Sequence, residues 1–362
     1  MILLLMDMPK PLHGMSAVNK NILDRVEKSG VDYQLINSCP SFAFKYFGTR
    51  FWVLIRLVYF FYVFLKLLAF MLRGGVCSVY RPINGGSGQF YDICYVAIAR
   101  ILKKKIFIHH HSYAYLTKKS KLYSFFQAVL GYDAMHIVLG PEMKASLCNM
   151  YALPEGRVLV LSNSAFFNCD AEIEHFLDSD LIRIGYLANI SFEKGFREFL
   201  TIYGQLKDRL NGVAVECHIA GGFSSQNERV FFEKYSEDAL VNYYGPVYGE
   251  DKDSFYKKLD VFIFPSFYVN EAEPLVLYEA AATGALLAGT EQGCMSSVIS
   301  ALGGVSVPAG AETVSQLVEK LLNAKSDGLL EDSGRIERLE RYRKCVVGSK
   351  VQLDRLIKVM VQ

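Results

Sequence analysis

The chain has eight cysteines, at 39, 77, 94, 148, 169, 217, 294 and 345, and no two of them form a C-x-x-C pair. That scatter argues against a disulfide scaffold. Such thiols usually act as small buried hydrophobes and fit a reducing, cytosolic setting. No short internal repeat and no low-complexity tract occurs. Disorder is not expected either, because 51% of residues are hydrophobic and 21% charged. No convincing secretory signal is present: residues 1–6, MILLLM, lack a preceding basic region and run into Asp7. Acidic residues are scarce in the first half. Residues 1–165 hold 8 Asp/Glu against 19 Lys/Arg, leaving 29 against 20 for the remainder. The net +2 therefore divides into +11 and −9. A basic front half favours an anionic partner. No nucleic-acid recognition motif accompanies the charge, so nucleic acid is not expected. An inner-leaflet membrane surface or a lipid-pyrophosphate acceptor fits better.

The 362 residues suffice for two domains of ordinary size. Apolar strand-like runs alternate with helical segments from Met1 to Leu161 and again from Ile182 onward. This predicts an α/β protein with two doubly wound, mainly parallel sheets. We read residues 1–165 as an N-terminal Rossmann-like domain and 166–181, polar and aperiodic, as a linker. Residues 182–350 form the C-terminal Rossmann-like domain, and 351–362 a last helix that can cross back to the first. Ser16 is the expected cap of the first helix. Residues 51–72, FWVLIRLVYFFYVFLKLLAFML, are long enough to span a bilayer. They hold Arg56 and Lys66, which are expensive inside a span, and strand-like segments flank them. A core or interfacial helix is the expectation, with a helix lying against the membrane as its functional version.

The densest chemistry lies in residues 264–284, FPSFYVNEAEPLVLYEAAATG. Glu271 and Glu279 sit eight positions apart. Pro274 and the apolar run after it predict a short helix that Gly284 closes. Glu271 then lies in the loop before the helix and Glu279 on it. Acidic residues are common near helix starts simply because they offset the dipole. The buried strand expected just before this segment favours the functional alternative, because α/β sheets bind ligands at strand ends. Lys194, followed by Gly195 at another helix start, suits an anion. Residues 109–111 are three histidines at a strand end. Strand alternation puts His109 and His111 on one face and His110 on the other, which argues against convergence on one metal.

This pattern resembles the signature of family 4 (group 1) retaining glycosyltransferases, many of which act in bacterial polysaccharide assembly. The landmarks are the E-x7-E pair with PS upstream and EAxxxG downstream. Residues 9–19, PKPLHGMSAVN, are similar to the family's first glycine loop, and 184–196, IGYLANISFEKGF, to its G-x-L…KG loop. HIAGG at 218–222 and YGPV at 244–247 match two further strand ends, so the likeness covers residues 1–310 in the family's order.

The resemblance implies the GT-B fold, with two Rossmann-like domains across a cleft. It also implies a metal-independent hexosyl transfer from a nucleotide sugar, UDP-sugar foremost, with no cofactor. The acceptor would be lipid-linked or an oligosaccharide or polysaccharide, and the protein would work at the cytoplasmic face of the membrane. By resemblance Glu271 contacts the donor sugar and is catalytic, with His111 and then His109 near acceptor and phosphate. Gly14, Asn189 and Lys194 bind the donor. Leu275 and Val276 offer backbone N–H groups to the β-phosphate, Glu279 accepts from the ribose hydroxyls, and main chain at Val247 meets the base. Two departures stand out. Tyr186 occupies the place where the family commonly has an arginine, and Ala272-Glu273-Pro274 replaces its G-F-G. Glu273 is expected either to alter sugar preference or to face solvent. A nucleotide-sugar epimerase of the same fold, and a non-catalytic sugar-nucleotide-binding partner, are the rival readings.

Overall fold

The structure is a computed structural model that describes residues 1–9, 14–83, 85–170 and 180–362. The chain divides into two compact units, Met1–Phe166 with Ser349–Gln362, and Phe167–Gly348. The linker anticipated at 166–181 falls partly outside the described residues, since 171–179 are among those not described.

The first unit alternates strand and helix throughout. In order come β1 (Ile2–Met6), α1 (Gly14–Lys28), β2 (Tyr33–Asn37), α2 (Arg50–Leu72), β3 (Ser78–Ile83) and α3 (Gln89–Ile101). Then follow β4 (Lys105–His110), α4 (Lys121–Leu130), β5 (Met135–Val138), α5 (Pro141–Tyr151) and β6 (Val158–Val160). The sheet order is β2-β1-β3-β4-β5-β6, with every pairing parallel. Strands covered on both faces need continuous apolar sequence, and ILLLM of β1 is buried along its whole length. Helix starts follow local chemistry. Thr49 caps α2 by accepting from the Trp52 amide at 3.4 Å, and Ser120 caps α4 through the Tyr123 amide at 3.2 Å. Pro141 opens α5, where its missing N–H costs nothing. Ser16, expected to cap α1, is instead buried inside it, because the helix begins two residues earlier at Gly14.

The second unit repeats the plan. It contains β7 (Leu181–Leu187), α6 (Phe196–Arg209), β8 (Ala214–Ala220), α7 (Gln226–Glu233), β9 (Val241–Tyr243) and α8 (Gly249–Lys257). After these come β10 (Val261–Phe264), α9 (Leu275–Ala281), β11 (Leu286–Thr290), α10 (Met295–Ala301), β12 (Val305–Val307) and α11 (Thr313–Ser326). Helix α12 (Asp332–Val361) ends the chain, and its last turns group with the first unit. The sheet order is β12-β11-β10-β7-β8-β9, again all parallel.

Each order contains one reversal. In the first sheet it falls between β1 and β3, and in the second between β7 and β10. At such a point the loops after the two strands diverge to opposite faces and leave a crevice at the strand ends. The loop after β7 carries Lys194 and the loop after β10 carries Glu271. Topology therefore brings together two residues that are 77 positions apart in sequence.

Candidate active site

Both loops at the second reversal are built by close backbone approach. A 3-10 turn, Phe192–Lys194, is capped by the Ser191 hydroxyl, which accepts from the Lys194 amide at 3.3 Å. Gly195 follows with φ +78°, and a Cβ there would lie 2.0 Å from the Pro265 carbonyl oxygen. Only glycine lets the first loop press on the second in this way. The Phe267 amide donates to the Glu193 carbonyl at 2.8 Å and ties them further. Gly293, at φ +59°, packs against the Glu271 carbonyl, where a Cβ would lie 2.2 Å away. The Cys294 amide holds the Ala272 carbonyl at 2.8 Å. Glu271 is thus fixed from behind by backbone and is 9% exposed.

The Lys194 ammonium donates to the Glu271 carboxylate in a short ion pair. The same ammonium lies 4.5 Å from the centroid of the Tyr268 ring. Ser266 Oγ donates to the same carboxylate oxygen at 3.4 Å. The lysine keeps 24% of its side chain exposed, so its charge remains within reach of a ligand. An ammonium against a strand-end crevice can offset the charge of a departing phosphate. A carboxylate beside it can orient sugar hydroxyls.

Glu279 lies on α9, as the sequence predicts, and is held by residues that the sequence does not single out. Lys252 Nζ donates to it at 2.5 Å and the Tyr256 hydroxyl at 2.8 Å, both from α8. Burial, reinforced by Glu279, pushes the Tyr256 phenol well above its usual range, so it stays a donor. Together with Asp253, Thr283 and Tyr342, Glu279 lines a cavity of about 300 Å³. Lys252 and Tyr256 leave no linear signal at Glu279; only the packing of α8 on α9 reveals them. Pro274 precedes α9 as its cap, with Leu275 and Val276 in the first turn. By helix geometry their amides lie ahead of the first intrahelical bonds. Gly284 reverses the chain three residues past the helix at φ +75°.

The two departures resolve structurally. Tyr186 is fully buried, with its ring against Phe199 at 5.2 Å and Phe196 at 5.7 Å. Its hydroxyl donates to the Lys194 carbonyl at 3.2 Å. It supports the backbone of the lysine loop and supplies no charge. Glu273 does not face solvent, correcting that alternative: it is 5% exposed and accepts from the Tyr278 hydroxyl at 2.6 Å. Asn189 is exposed in the loop after β7. Val247 is half-buried after β9 and packs on the core.

In the first unit, Gly14 opens α1 and is exposed, with space around its Cα. His109 and His110 close β4, both fully buried. His109 Nδ1 pairs with the Tyr80 hydroxyl at 2.5 Å, and its ring lies 4.1 Å from that of His111. His110 turns the other way, to Tyr115 at 2.7 Å and His136 at 3.0 Å, as strand alternation requires. His109 Nε2 has no hydrogen-bond partner among the described residues. Burial holds His109 and His110 far below the usual histidine range and lowers His136 to about 3. Burial thus favours the neutral form of all three rings. His111 is partly exposed, and its amide donates to the Ile83 carbonyl at 3.1 Å. Among the described residues no group of three or more His, Cys, Asp or Glu is arranged to hold a metal.

No curated protein matches the chain by sequence. Among solved structures, the chain is similar to Anabaena Alr3699/HepE in complex with UDP, with TM-score 0.70 and 13% identity over 99% of both chains. A glycosyltransferase from Rickettsia africae ESF-5 gives TM-score 0.71 and 13% identity over 99% of this chain and 97% of that one. Sucrose-phosphate synthase from Thermosynechococcus elongatus gives 0.68 and 14%, over 99% and 98%. The fold is that of GT-B glycosyltransferases. Residues 171–344 match the family described as Glycosyl transferases group 1. That span includes Lys194, Glu271 and Glu279 and lies within the second unit.

Proposed function

We propose that this protein is a retaining, metal-independent glycosyltransferase that moves a hexose from a UDP-sugar to a lipid-linked or polysaccharide acceptor. The observation that carries the reading is the Lys194–Glu271 pair at the β7/β10 reversal, inside the group 1 match. The Anabaena structures with UDP and with UDP-glucose support the choice of base. In the reaction the bond from the sugar's anomeric carbon to the β-phosphate oxygen breaks. UDP leaves, and the acceptor hydroxyl oxygen bonds to the same face of that carbon while its proton passes to the departing phosphate oxygen. Lys194, with the amides of Leu275 and Val276, offsets the charge on the leaving phosphate. Glu271 orients the sugar hydroxyls, and Glu279, fixed by Lys252 and Tyr256, accepts from the ribose. Asn189 and Gly14 line the donor, main chain at Val247 meets the base, and His111, backed by His109, serves the reacting centre. The reaction belongs to cell-surface glycan synthesis, at the cytoplasmic face of a membrane.

The test begins with thermal-shift screening against UDP-, GDP-, ADP- and TDP-sugars, since a bound donor raises the melting temperature by mass action. Selective stabilisation by one nucleotide sugar is expected, followed by UDP release only when an acceptor is supplied. Conversion of donor alone to an epimer would overturn the reading in favour of an epimerase. Donor binding with no turnover over a broad acceptor panel would overturn it in favour of a binding partner.

A further inference from the structure

Of the 26 exposed large hydrophobic residues among those described, 12 fall between Phe42 and Leu72, in α2 and the short 3-10 segment before it. At 100° per residue, Leu54, Val58, Phe61, Leu65 and Leu72 fall within about 60° of one another around α2. Leu65 is 63% exposed and Leu72 66%. Trp52, Val63 and Leu67 lie within about 60° on the opposite side and are buried. There α2 packs on α3 and β2. The Phe60 ring meets Tyr91 at 5.1 Å, and the Tyr59 hydroxyl donates to the Asn37 carbonyl at 3.0 Å. One side of the helix thus packs on the first unit through four buried residues, and the other is exposed. Both of its internal charges avoid the outer face. Arg56 turns back over the Tyr91 ring at 5.1 Å, and Lys66 lies on the flank, 5.9 Å from the Tyr62 ring.

Charge supplies the second observation. From residue 33 to 91 there is no Asp or Glu, against Lys45, Arg50, Arg56, Lys66, Arg73 and Arg81. Lys45, Arg50 and Arg73 are exposed at the two ends of the apolar face. Phe42 and Phe47, 78% and 63% exposed, extend that face beyond the helix start. An apolar stripe about 35 Å long, 23 residues at the helical rise, with cations at its ends, offers a bilayer apolar side chains to bury and charges for anionic headgroups. Exposed apolar patches of this size mark interaction surfaces.

We propose that the outer face of α2, with the segment before it, docks the first unit onto an anionic lipid bilayer. The helix lies in the plane of the interface. It cannot cross the bilayer without stripping Trp52, Val63, Leu67 and Met71 from the core. Leu54, Phe61 and Leu65 enter the acyl boundary, while Lys45, Arg50 and Arg73 meet anionic headgroups. This proposal is independent of the transferase reading, because vesicle binding is measured without donor or acceptor.

The test is co-sedimentation of the full chain with vesicles of phosphatidylcholine alone or mixed in equal parts with phosphatidylglycerol. The wild type is expected to bind the mixed vesicles more tightly than the plain ones, and high salt should erase that preference. A Leu54→Glu/Phe61→Glu/Leu65→Glu variant should lose about a hundredfold or more in partitioning, since three large side chains no longer leave water. Its melting temperature should be unchanged, because all three are exposed. Lys45→Gln/Arg50→Gln/Arg73→Gln should abolish the preference for phosphatidylglycerol. Equal sedimentation of the wild type and the Glu variant would overturn the proposal, as would failure of the wild type to bind either vesicle. So would a lipid-free dimer that the Glu variant dissolves, which would assign the face to a second copy of the chain.

Discussion

Lys194→Ala separates two roles that the ammonium can play. In the free protein it is the countercharge of Glu271, a carboxylate 9% exposed. Removing it leaves Glu271 with Ser266 Oγ at 3.4 Å and the surrounding backbone. Breaking a fully buried pair costs about 3–5 kcal/mol, whereas exposed pairs contribute about 0–1. With the lysine side chain 24% exposed, a loss of about 1–3 kcal/mol is expected. In a unit of this size that lowers the melting temperature by roughly 2–10 °C. The catalytic role predicts something larger and of a different kind. Removing one fixed donor from a developing oxyanion costs about 10²–10³ in kcat, or about 3–4 kcal/mol of transition-state stabilisation.

The double variant Lys194→Ala/Glu271→Gln distinguishes the two. Lys194 and Glu271 touch, so their effects cannot add. Neutralising the carboxylate removes the uncompensated charge, and stability should return most of the way to wild type. Transfer should not return, because the phosphate has still lost its cation. The assay is a urea or thermal melt beside steady-state UDP release with donor and acceptor. Turnover of Lys194→Ala within tenfold of wild type, or recovery of turnover along with stability in the double variant, would refute the reasoning. Lys194 would then be only the structural counterion of Glu271.

Three further predictions follow from the same geometry. Gly195→Ala forces a side chain into a left-handed backbone position and onto the Pro265 carbonyl, so it should cost about 2 kcal/mol or more and remove most transfer. A normal melt with normal activity would contradict that account. Tyr256→Phe deletes one of two donors to Glu279 and should raise the dissociation constant for UDP about three- to tenfold, equivalent to about 0.5–1.5 kcal/mol, with little change in the fold. Isothermal titration checks it, and unchanged affinity would remove Glu279 from the ribose site. The buried histidines predict acid sensitivity. His136 has its folded pKa lowered to about 3 by burial, so the unfolded chain takes up its proton first as pH falls below about 6.5. Its contribution is present above about 6.5 and is lost progressively down to about 3, at about 1.4 kcal/mol per pH unit. His109 and His110 act in the same direction. Urea midpoints measured from pH 7.5 to 5 should fall steeply, and less steeply in His136→Phe; a flat profile would refute neutral burial.

The alternation of elements was legible because parallel strands are covered on both faces and must read as apolar runs. ILLLM of β1 and VFIF of β10 say so directly. The placement of Glu271 before a helix and Glu279 on it was legible for a local reason, since Pro274 and Gly284 bracket α9. Strand order was not. Nothing in the linear pattern says that β10 lies beside β7, and that adjacency alone brings Lys194 to Glu271. The Lys252 and Tyr256 partners of Glu279 are unreadable for the same reason: they reside on a helix more than twenty residues upstream. The outward face of α2 was hidden by its own composition. A helix apolar all round gives no periodicity from which to choose an inner side, and only the packing of Trp52, Val63 and Leu67 chooses it.

Tyr186 shows how a motif position can keep its structural service while losing its charge. Its ring fills the core between Phe196, Phe199 and Phe264. Its hydroxyl holds the carbonyl of Lys194, so the substitution steadies the loop that presents the lysine. Positive charge at the β7/β10 reversal then comes to depend on Lys194 itself, whose ammonium is already engaged by Glu271. A donor phosphate must draw that ammonium from the carboxylate, and the freed carboxylate must find hydrogen-bond donors in exchange. Sugar hydroxyls are such donors, whereas a bare nucleotide has none to offer at that position. The pair therefore predicts that a UDP-sugar binds more tightly than UDP by more than the contacts of its sugar with neutral side chains would supply. Glu271→Gln should narrow that difference. Titration of both ligands into both proteins measures it, and an unchanged difference would show that the Lys194–Glu271 exchange plays no part in recognition.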